Sequence, residues 1–133
     1  MRAAIIPTLP YRDAPAAVDW LCRAFGFTPR AVHPNDSGGI AHAQLVLGDA
    51  MIMLGTVADD GMGALQGPPD GRVTQSAYVI VTDADAHHAR AVAAGAEIVF
   101  PLKSEEYGGR GYSCRDPEGH LWHFGTYDPW SDA

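Results

Sequence analysis

The chain has 133 residues, enough for one ordinary domain or for two half-size units with a shared core, and its 16 acidic and 9 basic residues give a net charge of −7. Since affinity for phosphates comes mainly from Lys and Arg, this balance argues against a nucleic-acid partner and mildly favours neutral or cationic small molecules. No signal peptide and no membrane-spanning apolar run are recognised, so we expect a cytoplasmic protein without a membrane partner.

The first half of the chain predicts one helix and four strands. Residues 3–9 are apolar and predict a strand. Asp13 then offers a helix N-cap, Pro15 suits the first turn, and Gly26 supplies a left-handed C-cap, so a helix should lie between them. Further strands are predicted at 27–33, 41–47 and 50–54, the last two joined by a tight hairpin.

The second half repeats this order of elements after a linker rich in Gly, Pro and Asp. A strand is predicted at 76–81. Asp83 caps a helix that runs through Ala94 and ends at Gly95. Strands follow at 97–101, 110–115 and 120–125, the last two forming a hairpin whose Pro and Gly suit a tight turn.

An internal repeat accounts for this order. Shifting the sequence by 70 positions aligns a helix cap, a loop and a strand end: Asp13 with Asp83, Gly38-Gly39 with Gly108-Gly109, and Gly55 with Gly125. Agreement at three landmarks in the same element order indicates a duplicated module. We predict a single domain, 1–133, composed of module one (1–56), a linker (57–72), module two (73–126) and a tail (127–133).

The predicted fold is α+β, with two βαβββ modules forming a curved mixed sheet around a cleft. Each module alone has too little core to be stable, and its sheet has a second face that must also be covered. Two such sheets can enclose a cleft, and clefts of this kind are natural ligand sites.

Strand alternation, combined with the shift of 70 positions, selects the side chains that would face the cleft. Large aromatics at Trp122 and Phe124 should instead pack on a helix. The candidate ligand-binding residues are His42, Gln44, Met51, Met53, Tyr112, Cys114, Leu121 and His123. The alternative for the polar ones is plain surface exposure, and for the methionines it is core filling. The cysteines, Cys22 and Cys114, are expected to be free thiols.

Three parts of the chain carry a family resemblance: residues 10–27, the opening of the second unit (81–85 and 94–97) and the hairpin segment 115–124. Together they resemble the glyoxalase/bleomycin-resistance/extradiol-dioxygenase superfamily, which has the vicinal oxygen chelate fold. The resemblance implies a homodimer. It also implies one of two kinds of function. Some members of the superfamily are metal-dependent isomerases, dioxygenases and epimerases, and others are metal-free proteins that sequester antibiotics such as bleomycin.

Metal ligation separates these functions. The resembling enzymes bind a divalent metal through His, Glu or Gln from the first and last strands of each module, and a catalytic metal needs about three protein ligands. Here the last strands offer His123 and Met53, and the first strands offer no His or carboxylate. We therefore expect no metal and no cofactor, and a glyoxalase-like branch that lacks the usual ligands. No serine has a base and an orienting group indicated by sequence alone.

Three functions remain. The first is a metal-free protein that binds an aromatic or cationic small molecule, with antibiotic sequestration as its role. The second is an enzyme, a divergent glyoxalase-like lyase or dioxygenase that uses His123, the one catalytic candidate. The third is a small interaction domain with a vestigial cleft.

Overall fold

A computed structural model describes residues 1–59 and 61–131, and these residues form two helices and eight strands. The chain divides into two compact units, Met1–Pro68 and Pro69–Ala133. Asp60 in the predicted linker and residues 132–133 in the predicted tail lie outside the described residues. The module limits given above stay a prediction.

The first unit is a βαβββ module with a mixed four-stranded sheet. Its elements are β1 (Thr8–Tyr11), α1 (Ala14–Phe25), β2 (Thr28–Pro34), β3 (Ile40–Leu47) and β4 (Ala50–Thr56). The strand order is β1-β4-β3-β2, with β1 parallel to β4 and the other pairs antiparallel.

Local sequence signals fix the ends of α1. The Asp13 carboxylate accepts a hydrogen bond from the backbone N–H of Ala16 at 3.1 Å, and Gly26 ends the helix with φ 88°. Both features were predicted, because a side-chain acceptor satisfies a free N–H at a helix start and glycine adopts positive φ without strain. The helix buries Leu21 and Phe25, and β3 contributes Leu45 to the core of this unit.

The second unit has the same element order. Its elements are β5 (Ala77–Ile80), α2 (Ala84–Ala93), β6 (Glu97–Ser104), β7 (Arg110–Arg115) and β8 (Leu121–Gly125). The strand order is β5-β8-β7-β6, with β5 parallel to β8. Asp83 caps α2 through the N–H of Ala86 at 3.0 Å, as Asp13 caps α1. Trp122 and Phe124 are buried, as predicted for that face of β8.

Equivalent hydrogen bonds confirm the repeat. The Thr56 hydroxyl accepts from the N–H of Ile40 at 2.9 Å, and the Thr126 hydroxyl accepts from the N–H of Arg110 at 3.0 Å. The two pairs differ by 70 positions, the same offset that the sequence shows. The α+β class with two βαβββ modules is thus confirmed.

Two strands differ from their predicted limits by three residues or more, whereas the other strands agree to within two residues. The first was predicted at 3–9, but pairing with β4 begins only at Thr8. Pro7 precedes it and has no N–H to donate, so it cannot continue the ladder as a full member. The strand predicted at 97–101 extends to Ser104 as β6, an edge strand whose register shifts between Phe100 and Lys103. Edge strands with such irregularities accommodate a proline, here Pro101.

A bulge in β3 overturns one step of the sequence argument. Opposite Pro34 and His33, the β3 partners are Ile40 and His42, so Ala41 is an extra residue. Beyond this bulge, the cross-strand pair Ala43–Leu54 of the first unit corresponds to the pair Tyr112–Phe124 of the second. The offset between the units is therefore 69 positions in the third strand of each module and 70 in the fourth. Because side chains alternate, a slip of one residue moves every later residue to the other face.

Candidate functional site

The site in the second unit is centred on His123, in the middle of β8. Its cross-strand partner on β7 is Ser113, whose hydroxyl oxygen lies 2.6 Å from Nδ1 of the imidazole. The other ring nitrogen, Nε2, lies 2.9 Å from the hydroxyl oxygen of Ser76, just before β5. Ser113 is buried, at 7% exposed, whereas Ser76 is exposed. Both ring nitrogens of His123 are therefore held by serines.

Partial burial lowers the pKa of His123 below its usual value of 6.5. Burial penalises the charged imidazolium, so the ring is neutral at neutral pH. A neutral imidazole has one N–H and one lone pair. Consequently one of the two serines accepts a hydrogen bond from the ring and the other donates one.

A groove of about 510 Å³ lies on this face of the second unit. It contains His123 and Ser113, and several aromatic residues contribute to its walls. The aromatic side chains on the face away from α2 or on its rim are Tyr78, Phe100, Tyr107 and Tyr127. Tyr78 is 45% exposed, Phe100 62% and Tyr107 63%, so much of their ring surface faces solvent.

Three tyrosines and a glycine shape one wall. The hydroxyl of Tyr78 donates to the carbonyl oxygen of Tyr127 at 2.6 Å. The rings of Tyr107 and Tyr127 meet edge to face with centroids 5.0 Å apart. Partial burial raises the pKa of Tyr78, so this hydroxyl keeps its proton. The Tyr78 ring approaches Gly125 so closely that a Cβ there would lie 2.8 Å from the Tyr78 hydroxyl oxygen.

The charges beside the groove are paired. Lys103 Nζ lies 3.9 Å from a carboxylate oxygen of Glu105, and Arg110 donates to the carboxylate of Asp85 at 3.0 and 3.2 Å. The Arg110 hydrogen bonds lower the pKa of Asp85. These exposed pairs contribute little to stability, but they leave the groove without an excess of either charge.

The first unit carries four of the predicted residues on one face of its sheet. Gln44 pairs across the strands with Met53, and Met51 pairs with Val46 on the same face. The Gln44 side-chain oxygen accepts from Arg30 at 2.6 Å, and its side-chain nitrogen lies 3.1 Å from Nε2 of His42. Side chains of this face alternate with the buried Leu45 and Leu54 on the other face.

Two predicted residues lie on the face of the sheet opposite His123. Tyr112 and Cys114 are paired with Phe124 and Trp122 on the buried side of their sheet, away from His123. The Tyr112 hydroxyl lies 2.6 Å from Nδ1 of His87 on α2. The cause is the extra residue in β3, which the uniform shift of 70 positions ignored. Leu121 and His123 do lie on the predicted face, and ligand binding by the predicted residues stays a prediction.

Sequence reasoning missed Ser76, Ser113 and the groove aromatics. With the bulge taken into account, the equivalent of Gln44 is Ser113, which would have placed a hydroxyl opposite His123. Ser76 is the first residue of the strand predicted at 76–81, and β5 begins one residue later, at Ala77. It was missed because the first strands were considered only for His and carboxylate metal ligands.

The donor set does not fit the metal centre that such a fold implies. On β5, the residue opposite His123 is Tyr78, and the corresponding pair in the first unit is Thr8 with Met53. Neither a phenol that keeps its proton nor a thioether is a usual ligand for a divalent catalytic metal. Within residues 1–59 and 61–131, no group of three or more His, Cys, Asp or Glu side chains could hold a metal ion.

The comparisons with known proteins give one family model and several similar chains. The sequence model of the Glyoxalase/Bleomycin resistance protein/Dioxygenase superfamily matches residues 5–124. Uncharacterized protein Mb0911c of Mycobacterium bovis is 32% identical over 124 residues, which are 92% of this chain and 82% of the relative. The crystal structure of TioX from Micromonospora sp. ML1 is 36% identical, with a TM-score of 0.75, and the match covers 93% of this chain and 98% of TioX.

A more distant structure shows the fold alone. The fosfomycin resistance protein FosX from Mesorhizobium loti is 15% identical, with a TM-score of 0.71, and the match covers 99% of this chain and 98% of FosX. Across the part of the chain that the structure describes, neither helix is both long and apolar enough to cross a membrane.

Proposed function

The chain belongs to the Glyoxalase/Bleomycin resistance protein/Dioxygenase superfamily, and we propose that it is a metal-free member that binds an aromatic small molecule, preferentially a cationic one. Sequestration of an antibiotic is the role that fits this proposal. The expected homodimer, the cytoplasmic location, and the absence of nucleic-acid and membrane partners belong to the same proposal.

The observation that carries the proposal is the aromatic groove of the second unit. Phe100 and Tyr107 are both more than half exposed, although large aromatic side chains are normally buried. Exposed aromatic faces in a concave site bind flat apolar ligands by stacking and by removal of apolar surface from water. The neutral His123 and Ser113 add a hydrogen-bonding group within the groove.

The preference for a cation rests on charge. The net charge of −7 draws cations toward the protein and repels anions. Within the groove the faces of Tyr78, Phe100 and Tyr107 offer cation–π contacts. Lys103 lies beside Glu105, which offsets its charge.

A matched set of three-ring probes tests both parts of the proposal: 9-aminoacridine as the cation, acridine as the neutral form, and anthracene-2-sulfonate as the anion. Titration calorimetry should give the tightest binding for 9-aminoacridine and the weakest for the sulfonate. Thermal unfolding with each probe should follow the same order, because a ligand that binds only the folded state raises its stability. Bleomycin is the antibiotic to titrate alongside them.

Single substitutions locate the probe. Phe100→Ala and Tyr107→Ala should each weaken 9-aminoacridine binding about fivefold or more, since a lost aromatic contact costs about 1 kcal/mol. Val92→Ala is the control, because Val92 is an exposed apolar residue on α2 outside the groove. If no probe binds, or if Val92→Ala weakens binding as much as Phe100→Ala does, the proposed site is wrong.

A further inference from the structure

Three side chains of the second unit form a hydrogen-bonded line: Ser76, His123 and Ser113. We propose that Ser76 is a nucleophile that accepts the acyl group of aryl esters, with His123 as its general base and Ser113 as the positioning residue. This inference goes beyond the proposed function, since binding needs no covalent step, and it does not depend on the identity of the bound ligand.

Ser76 has the access and the contact that a nucleophile needs. Its side chain is exposed, so an ester in solvent can approach the hydroxyl. Its oxygen lies 2.9 Å from Nε2 of His123, within the range for a serine activated by an adjacent base. A serine hydroxyl alone is a weak nucleophile, so the imidazole is the group that makes the reaction feasible.

The contact with Ser113 is compatible with the tautomer of His123 that a general base needs. When its hydroxyl accepts from the Nδ1–H, at 2.6 Å, the lone pair of His123 is on Nε2 and points to Ser76. Ser113 is buried and lies on β7 in the sheet interior, so it holds the ring in a fixed orientation. This is the place that a carboxylate takes in the Ser-His-Asp arrangement. The burial that lowers the pKa of His123 keeps the ring unprotonated, as a base must be.

The reaction has two steps, acylation of Ser76 and hydrolysis of the acyl group. Nε2 of His123 takes the proton of Ser76 as the serine oxygen forms a bond to the ester carbonyl carbon. The bond from that carbon to the aryl oxygen breaks, and the aryl oxygen receives the proton from Nε2. In the second step His123 takes a proton from water, the hydroxide oxygen attacks the acyl carbon, and the Ser76 oxygen leaves and regains the proton. The products are a phenol and a carboxylic acid.

The substrate class follows from the fact that Ser113, the orienting group of His123, is uncharged. Ser113 cannot stabilise the imidazolium as a carboxylate does, and weakening that support slows such enzymes by orders of magnitude. Only esters with a good leaving group should therefore react, which means esters of acidic phenols. His123 lies in the aromatic groove and also contacts Ser76, so an aromatic leaving group can stack on the groove walls as the ester reaches the serine.

The test uses the full chain and p-nitrophenyl acetate. Release of p-nitrophenolate is followed by absorbance, and the acetylated residue is found by peptide mass mapping. We expect an acetyl group on Ser76. Ser76→Ala and His123→Gln should each lower the protein-dependent rate about tenfold or more. Ser37→Ala is the control, because Ser37 is exposed in the loop before β3 of the first unit and should leave the rate unchanged.

The positioning role of Ser113 is tested by measurements that a purely structural role would not change. Ser113→Ala should lower kcat more than it changes KM and should shift the inflection of the pH–rate profile. Ser113→Thr, which keeps the hydroxyl, should restore both. An acetyl group at any other residue, an unchanged rate in Ser76→Ala, or an unchanged pH profile in Ser113→Ala would overturn the assignment. Binding of 9-aminoacridine should be intact in Ser76→Ala, so failure of this inference and failure of the proposed function give different results.

Discussion

Removal of the Asp116 carboxylate should destabilise the second unit through a small set of hydrogen bonds. Asp116 lies in the connection between β7 and β8 and is 4% exposed. One carboxylate oxygen accepts from the backbone N–H groups of Glu118 and His120, at 3.0 and 3.1 Å. The other accepts from the indole N–H of Trp122 at 3.1 Å. The carboxylate thus joins the turn to a buried aromatic residue.

Asp116→Ala leaves all three donors without this acceptor. Two of the bonds, from His120 and Trp122, are buried, and each buried donor left unsatisfied costs about 1–3 kcal/mol. The free energy of unfolding should fall by about 3 kcal/mol or more. Asp116→Asn keeps one oxygen for the backbone N–H groups but places an amide N–H₂ against the indole N–H. Its cost should be about 1–2 kcal/mol.

Urea unfolding followed by far-UV circular dichroism measures both variants. Asp59→Ala is the control, because Asp59 is an exposed aspartate of the first unit and its removal should change stability by less than about 0.5 kcal/mol. The reasoning is refuted if Asp116→Ala lies within about 1 kcal/mol of the unaltered protein. Equal destabilisation by Asp116→Asn and Asp116→Ala would also refute the prediction, because asparagine keeps an oxygen that accepts from the backbone N–H groups.

Two further predictions follow from groups whose pKa is shifted. Cys114 is fully buried, and desolvation raises the pKa of its thiol to about 12. In Cys22→Ser protein, Ellman's reagent at about pH 8 should therefore label Cys114 only after unfolding. Rapid labelling of the native protein would contradict the placement of Cys114 on the buried face. His123 has a lowered pKa, so the unfolded chain binds its proton first and stability should be lost as pH falls below 6.5. His123→Gln should lose less stability than the unaltered protein between about pH 7.5 and 5.5 in urea unfolding, and equal losses would remove His123 as a source of the effect.

Much of the fold follows from local signals and from the repeat. Asp13 and Gly26 set the ends of α1, and Asp83 sets the start of α2, because caps act on backbone groups within a few residues in sequence. The offset of 70 positions gave the module order, since two copies of one unit keep their landmarks. Alternation placed Trp122 and Phe124 correctly, because a regular strand has a period of two.

The tertiary structure alone decided which residues of β7 accompany His123. One extra residue in β3, Ala41, changes the correspondence between the third strands of the two modules. As a result Ser113, and not Tyr112 or Cys114, lies on the same face as His123. A bulge has no reliable sequence signal, because it depends on how two strands pair rather than on the composition of either. The contact of Ser76 with His123 joins residues 47 positions apart. Its distance is set by the parallel pairing of β5 with β8, which no local pattern determines.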